Sequence, residues 1–339
     1  MAETASRVSV IIPNWNGERW LEACLRSLHA QDRRPLEIIL VDNGSSDRSL
    51  ELARRHAPDA TIIELGVNTG FAVAANRGVE AAAGRYVFLL NTDTQVAADC
   101  IRKLEDAIET CPENLIAVMP LMVSLDAPDR VDDAGDRLSW YGQAVKTGHG
   151  EPVADFDRER EIFSPCGGAV LLRRADFLAL GGFDAGFFAY LEDVDFGLRA
   201  RLAGYRHRLL PAARVLHKGH GSAMPQRRYL VLTTRNRLAL MVRNLPAGHL
   251  LRNAHRIAYG TLQFAFDHGQ PMATLQGLML FCRDLPGMLA GRGERLARIR
   301  LSAAEIEGLL SREQPAPGLL AIAARRLRRA YEVIFGRRP

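Results

Sequence analysis

From residue 7 to residue 90 the chain alternates short apolar runs with helical patterns, and each apolar run ends in a polar loop. The runs RVSVIIP (7–13), LEIILV (36–41), TIIEL (61–65) and YVFLL (86–90) have the β-branched and aromatic content of buried strands. Helical patterns at 20–29, 49–56 and 71–83 lie between them. This alternation implies an α/β fold, a mostly parallel sheet flanked by helices with its loops gathered on one edge. Ligands of such sheets bind at that edge, outside the carboxyl ends of the strands.

The residues at the strand tips suit a binding edge. The run 86–90 stops at Asn91-Thr92-Asp93, so Asp93 stands where a metal or a phosphate-bearing substrate is received. An Asx turn or a helix N-cap accounts for the same tripeptide. Asp42 ends the second run and is placed to accept hydrogen bonds from a base or ribose, with Ser45 and Ser46 beside it; a tight turn with a capping serine is the plain alternative. Two acidic tips on one edge favour a site over two coincidental caps. The first loop, Asn14-Trp15-Asn16-Gly17, lacks GxGxxG, which disfavours a nicotinamide enzyme.

Charge divides the chain. Residues 1–200 hold 20 Lys+Arg against 32 Asp+Glu, a net −12, whereas residues 201–339 hold 24 against 7, a net +17. The second half therefore fits a polyanionic partner, nucleic acid or an anionic membrane. Five cysteines without a CxxC pair fit a reducing compartment, where they act as small buried hydrophobes. Residues 1–7 have no apolar run behind a basic start, so no secretory signal is expected.

Taken together, VSVIIPNWNG, IILVDNGSSDRS, NTGFAVAANRGV and YVFLLNTDT resemble the successive motifs of the family 2 glycosyltransferases of the GT-A (nucleotide-diphospho-sugar transferase) fold, in particular a rhamnosyltransferase-like branch. Four motifs in the right order over about 95 residues are far more specific than any one of them. The resemblance implies that Asp42 contacts the base of a nucleoside diphosphate sugar. It also implies that Pro13, Asn14, Asn68, Gly70, Asn76 and Asn91 surround the nucleotide and that Asp93 binds a divalent cation on the diphosphate. Asn91 replaces the first aspartate of the DxD found in many members, which removes one carboxylate from the metal shell.

Further on, helix 98–109 and strand 116–119 precede a loop-rich stretch, 120–164, read as a connector over the acceptor cleft without chemistry of its own. Its scattered aspartates, Asp126, Asp129, Asp132, Asp133, Asp136 and Asp155, do not have calcium-loop spacing. Gly167 and Gly168 open a strand and allow close approach of a backbone to a ligand, although a bulge at the strand start also explains them. Glu192 and Asp193 begin a helix running to Leu202, where acidic residues are favoured by the dipole alone. The block resembles the family's ED segment, which makes Asp193 the general base and puts Glu192 with Gly167 and Gly168 at the acceptor cleft. A sugar hydroxyl needs such a base near neutral pH. Asp195 and Arg199 are spaced as an i,i+4 ion pair. His217 follows a short strand, 206–210, at a position similar to the family's metal-binding histidine, with His220 second choice and Gly219, Gly221 and Ser222 a closing loop. A carboxylate with an imidazole suits Mn²⁺ better than Mg²⁺.

Beyond residue 225 the pattern is helical at 226–244, 247–266 and 272–289, separated by Pro246 and by Gly269-Gln270-Pro271. The longest uncharged stretch, 268–282, is too short to cross a bilayer. Arg292, Arg295, Arg298, Arg300, Arg325, Arg326, Arg328, Arg329, Arg337 and Arg338 stand among Leu, Ile, Tyr331 and Phe335. Basic amphipathic helices of this kind lie in an anionic interface, with a solvated helix face and nucleic-acid binding as competing readings; the resemblance, whose members commonly use lipid-linked acceptors, favours the membrane surface.

The expectation is therefore a GT-A domain over 1–225, with a nucleotide-sugar half (about 1–95) and an acceptor half (about 96–225), followed by a helical, Arg-rich region over 226–339. Its expected activity is inverting, metal-assisted transfer of a sugar, with rhamnose indicated by the resemblance, to a polysaccharide or lipid-linked glycan precursor. The expected location is cytoplasmic, peripheral at the inner face of the cell membrane. A sugar-1-phosphate nucleotidyltransferase would want a Gly-rich, basic first loop, and NWNGERW supplies only Arg19. A catalytically silent glycan-binding subunit would not need Asp93, Asp193 and His217 together.

Overall fold

The computed structural model describes residues 6–219, 224–313, 316 and 318. They fall into two compact units. Among the described residues, the first comprises 6–137, 145–219, 224 and 298–301; the second comprises 138–144, 225–297, 302–313, 316 and 318.

The first half of the larger unit is built as its sequence alternates: β1 (Val8–Asn14), α1 (Glu18–His29), β2 (Glu37–Asp42), α2 (Ser49–His56), β3 (Thr61–Glu64), α3 (Phe71–Ala81) and β4 (Tyr86–Leu90). Then come β5 (Thr94–Val96), α4 (Cys100–Thr110), β6 (Leu115–Ser124), β7 (Val131–Asp133), β8 (Asp136–Leu138), β9 (Ala144–Lys146) and β10 (Arg160–Ile162). The unit closes with β11 (Ala169–Arg173), α5 (Arg174–Ala179), α6 (Glu192–Leu202) and β12 (Arg206–His217).

The main sheet has the order β10-β12-β6-β11-β4-β1-β2-β3, with β5 on β12 and β7 on β6. Parallel pairing joins β4, β1, β2 and β3, and also β6 and β12. β11 runs antiparallel between β4 and β6, so six of the eight strands on this path point the same way.

Both faces are covered because both carry apolar side chains. On one face Leu21, Cys24, Leu25 and Leu28, spaced as one helical stripe on α1, join a core with Val10, Ile12, Phe88 and Leu104. On the other, α3 packs Ala72, Ala75 and Val79 against Ile11, Val41 and Leu89. A Cβ at Gly78 would lie 2.2 Å from Ile11 Cγ2, so the missing side chain sets how closely α3 sits on the sheet. All five residues of β4 are buried, each apolar one contributing roughly 1.5–3 kcal/mol.

Two strands run further than their sequence suggests, each through a proline. Pro120 and Pro211 cannot donate to a ladder, which ends the sequence pattern at 119 and at 210. In the structure β6 continues to Ser124 and β12 to His217. The register between them shifts from Leu210↔Pro120 to Arg214↔Leu121, so residues 211–213 are extra on β12. His217 is thus the last residue of a long strand, not a loop residue beyond a short one.

The second unit is helical, with α7 (Gln226–Asn244), α8 (Ala247–His268), α9 (Pro271–Ala290), α10 (Arg292–Ala297) and α11 (Ala303–Leu309). Small residues bring α9 onto α7: a Cβ at Gly277 would lie 2.7 Å from both Val231 O and Thr234 Cβ. No helix among the described residues is long and apolar enough to cross a membrane. Arg292 donates from Nε to Val242 O at 2.7 Å, and Arg295 donates to Asn244 Oδ1 at 2.9 Å, so both tie down the end of α7. Arg298 belongs to the first unit and donates to Ala179 O at 3.1 Å. Arg300, also in the first unit, is exposed and donates its backbone N–H to Leu202 O at 2.8 Å. Tail arginines 325 to 338 lie outside the described residues, as do Tyr331, Phe335, His220, Gly221 and Ser222.

Candidate functional site

The parallel strands bring their carboxyl ends to one edge: Asn14 from β1, Asp42 from β2, Asn91 to Asp93 beyond β4, and His217 from β12. β11 is antiparallel, so it delivers its start, Gly167 and Gly168, to the same edge.

On the nucleotide side, Asp42 is buried and accepts hydrogen bonds from Asn14 Nδ2 and Ser45 N, both at 3.0 Å. The turn and the site thus share one carboxylate. Asn14 Oδ1 is buried with no hydrogen-bond partner among the described residues, an acceptor beside Asp42 whose desolvation is uncompensated by the protein. Pro13 pairs in register with Val41. Asn43, which the sequence reading passed over, ties this tip to the next loop. Its Nδ2 donates to Asn68 Oδ1 (3.2 Å) and Gly70 O (3.1 Å), and its Oδ1 accepts from Thr69 N (2.8 Å). Gly70 has φ +90°, and a Cβ there would meet Phe188 O at 2.3 Å.

Asn76, expected beside the nucleotide, spends its amide elsewhere. Its Nδ2 donates to Phe183 O (2.7 Å) and its Oδ1 accepts from Phe183 N (2.9 Å). The residue therefore acts on the site only by fixing the loop that leads to Phe188. In that loop Phe188, Tyr190 and Leu191 all have positive φ, a local strain that precedes Glu192 and Asp193 directly.

The centre is a chain of charges. His217 pairs with Thr94 in register, which places its ring beside Asp93: Nε2 lies 3.3 Å from Asp93 Oδ1. On the other side Nδ1 donates to Asp132 Oδ2 at 2.8 Å. Asp132 reaches it from a bulge. β7 pairs Asp133 with Met122 and Val131 with Val123, so Asp132 is the extra residue and its side chain is re-aimed. Lys146 Nζ donates to Asp132 Oδ2 at 2.9 Å and stands 3.8 Å from Asp133 Oδ2.

Burial opposes the charge on His217, but Asp132 and then Asp93 outweigh it and push the imidazole up to about 9. Burial likewise works against the Asp132 carboxylate, and the His217 and Lys146 partners hold it well below the usual range. Burial pushes Asp133 up to about 6 and Asp136 well above the ordinary carboxylate range. The 120–164 stretch is therefore no passive connector, because it carries the partners of His217. The Asp-Asp pair in VDDAGD was its only sequence signal.

Asp193 is joined to the same edge through backbone. Gly167 N donates to its Oδ2 at 2.8 Å, and Asn91 N donates to Gly168 O at 2.9 Å. Val194 N also donates to Asp193 Oδ1 at 2.8 Å, so the carboxylate closes the first turn of α6 as well. Burial raises the Asp193 pKa against those two amides. A Cβ at Gly197 would sit 2.1 Å from Ser164 Oγ, so α6 approaches the 164–168 turn closely. Glu192, expected on the acceptor wall, is buried, and its Oε2 has no hydrogen-bond partner among the described residues. Burial, with the Asp193 charge beside it, pushes its carboxyl well above the ordinary range. The Asp195–Arg199 pair forms as spaced, at 2.8 Å, and Arg199 also donates to Leu180 O at 2.7 Å.

Among the described residues no group of three or more His, Cys, Asp or Glu is arranged to hold a metal ion. Asp93 and His217 offer one carboxylate and one imidazole. Once the imidazole has lost its Nε2 proton, that pair fits an ion which takes its remaining ligands from a diphosphate and water.

Comparison with known proteins bears on the same residues. The family model Glycosyl transferase family 2 matches residues 9–178. The N-acetylglucosaminyl-diphospho-decaprenol L-rhamnosyltransferase of Mycobacterium tuberculosis (strain ATCC 25618 / H37Rv) is 29% identical over 226 residues, 60% of this chain and 73% of that protein. Among solved structures, GalNAc-T7 with UDP, GalNAc and Mn²⁺ superposes with a TM-score of 0.57 at 19% identity, covering 70% of this chain and 48% of the other. The mannosyltransferase PcManGT from Pyrobaculum calidifontis, in complex with GDP-Man and Mn²⁺, gives 0.52 at 18% identity over 98% and 81%. These two likenesses show a GT-A-type fold.

Proposed function

The chain belongs to the family 2 glycosyltransferases, and on that premise we propose that it transfers a sugar, rhamnose from dTDP-rhamnose, with inversion to a hydroxyl of a polysaccharide or lipid-linked glycan precursor. The observation that carries the reading is the meeting of Asp93 and His217, 3.3 Å apart, at the edge where Gly167 holds Asp193. Sugar and acceptor class follow the mycobacterial relative's printed activity; nothing finer is taken from it.

In this reading Asp42, Asn14 and the 68–70 loop receive the nucleoside, within a donor half over about 1–95. Asp93 and His217 would hold a divalent cation, Mn²⁺ or Mg²⁺, which neutralises charge on the diphosphate. Asp193 accepts the proton of the acceptor hydroxyl as that oxygen bonds to the anomeric carbon and the bond to the diphosphate breaks. A single displacement of this kind inverts the centre and needs only one base. Glu192 is buried beside the base, where burial opposes a second negative charge. The acceptor half spans about 96–225, and the basic region over 226–339 associates with the inner face of the cell membrane, where a lipid-linked acceptor would be presented.

A thermal-shift panel of nucleoside diphosphate sugars with Mn²⁺, Mg²⁺ or chelator tests the donor assignment, because a binding donor stabilises the fold by mass action. dTDP-rhamnose with Mn²⁺ raises Tm and chelator removes the rise. Absence of a shift with every nucleotide sugar overturns the reading.

A further inference from the structure

Arg292, Arg295 and Arg298 are spent on protein partners, so the membrane part of the reading above needs another surface. The 26 residues 257–282 contain one Asp, Glu, Lys or Arg, namely Asp267, and are bracketed by Arg256 and Arg283. In the structure they form the turn of a hairpin, the second half of α8, Gly269-Gln270, and the first half of α9. The small residues Ala273, Thr274 and Gly277 are buried on α9. That face is used up, so the large side chains one step around the helix point outward.

Met272 is 67% exposed, Leu275 47% and Met279 58%; on α8, Leu262 is 53% and Phe266 49% exposed. The spacing 272, 275, 279 is one helical stripe, and 262 and 266, four residues apart, share a face of α8. A contiguous exposed apolar surface on a soluble domain marks an interaction site. The charges say which. Residues 225–297 hold ten Arg against three acidic residues, and Arg252 and Arg283 stay 66% and 70% exposed although they pair with Glu307 and Asp284.

We infer that the α8–α9 hairpin lays its exposed apolar side chains into the interfacial layer of an anionic bilayer, with Arg252 and Arg283 facing the lipid headgroups. Exposed apolar side chains on a region with ten Arg against three acidic residues suit that interface, which is apolar below and anionic above. Long Arg side chains can keep their guanidinium groups in the headgroup region while their stems run along the apolar surface. The hairpin is too short and too polar on its inner face to span the bilayer, so the insertion is one-sided.

This inference rests on the peripheral-membrane part of the proposed function, and the test separates the two. Full-length protein is floated with phosphatidylcholine vesicles, with and without phosphatidylglycerol, and compared with the triple variant Met272→Gln/Leu275→Gln/Met279→Gln and with Arg252→Gln/Arg283→Gln. Circular dichroism and donor-induced thermal shift verify that each variant is folded. Wild type floats with the anionic vesicles, the apolar variant partitions more than about tenfold less, and the arginine variant loses the preference for phosphatidylglycerol. If wild type and the apolar variant float equally, the membrane reading stands and the hairpin assignment is overturned. If wild type does not float, both fall. If the apolar variant instead turns a dimer into a monomer with flotation unchanged, the stripe is an interface with a second copy and the inference is overturned.

Discussion

His217 Nδ1 donates to Asp132 Oδ2 across 2.8 Å, a contact between the end of one strand and the bulge of another. The proton on Nδ1 leaves Nε2 as the ring atom facing Asp93. Histidines that bind metals are commonly oriented by a carboxylate in this way, and its loss costs about 10–100-fold in metal affinity. Asp132→Ala is accordingly expected to weaken Mn²⁺ binding by about that factor, measured by calorimetric titration in the presence of a nucleoside diphosphate. Asp132→Asn, whose carbonyl can still accept from Nδ1, retains most of the affinity. An alanine variant that binds Mn²⁺ as wild type does would mean that Asp132 serves the fold only.

His207 gives a pH dependence of stability that is separate from the site. Its Nδ1 donates to Phe163 O at 2.8 Å, while Nε2 is buried without a partner among the described residues. Burial lowers its pKa to about 4, below an unfolded value near 6.5. The unfolded chain binds more protons between those values, so this contribution is complete above about pH 6.5 and is lost as pH falls toward 4. It amounts to about 3 kcal/mol at most, at 1.36 kcal/mol per pH unit. Urea midpoints at pH 7.5 and pH 5 should fall less for His207→Gln than for wild type. Parallel losses in the two proteins would refute the assignment.

Gly70 and Gly66 share positive φ but not surroundings. A Cβ at Gly70 meets Phe188 O at 2.3 Å, whereas at Gly66 nothing lies within 4 Å. Gly66→Ala should therefore cost only the left-handed strain, about 1–2 kcal/mol. Gly70→Ala adds a displaced Phe188 backbone and should cost more, with weaker donor binding as well. Equal unfolding midpoints for the two variants would show that the 188–191 loop yields freely.

The parallel half of the sheet was legible because each element carries its own signal within a few residues: an apolar run, a polar tip, an amphipathic stripe. Asp42, Asp93, Asp193 and His217 were found as motif residues, and the structure brings all four to one edge. Asp132 and Lys146 were not legible. Their place depends on a bulge and on two strands that run through Pro120 and Pro211, where local pattern argues for an end and pairing with distant neighbours overrides it. Asn76 was legible as a motif residue but not in its contacts, since its partner Phe183 lies 107 residues away. Exposure of the stripe on α8 and α9 could not be read from periodicity, which marks an apolar face without saying whether another helix covers it.

The most direct test is the turnover of Asp193→Asn beside its donor affinity. Burial holds the Asp193 carboxyl above its ordinary range, so wild-type transfer fails on the acid side at a higher pH than an exposed aspartate would give. With dTDP-rhamnose and a suitable acceptor, kcat of the variant should fall about 10²–10⁴-fold and that acid limb should vanish, while donor binding stays as in wild type. Turnover near the wild-type rate, with the same acid limb, would contradict the assignment of the base and with it the account of how this edge of the sheet works.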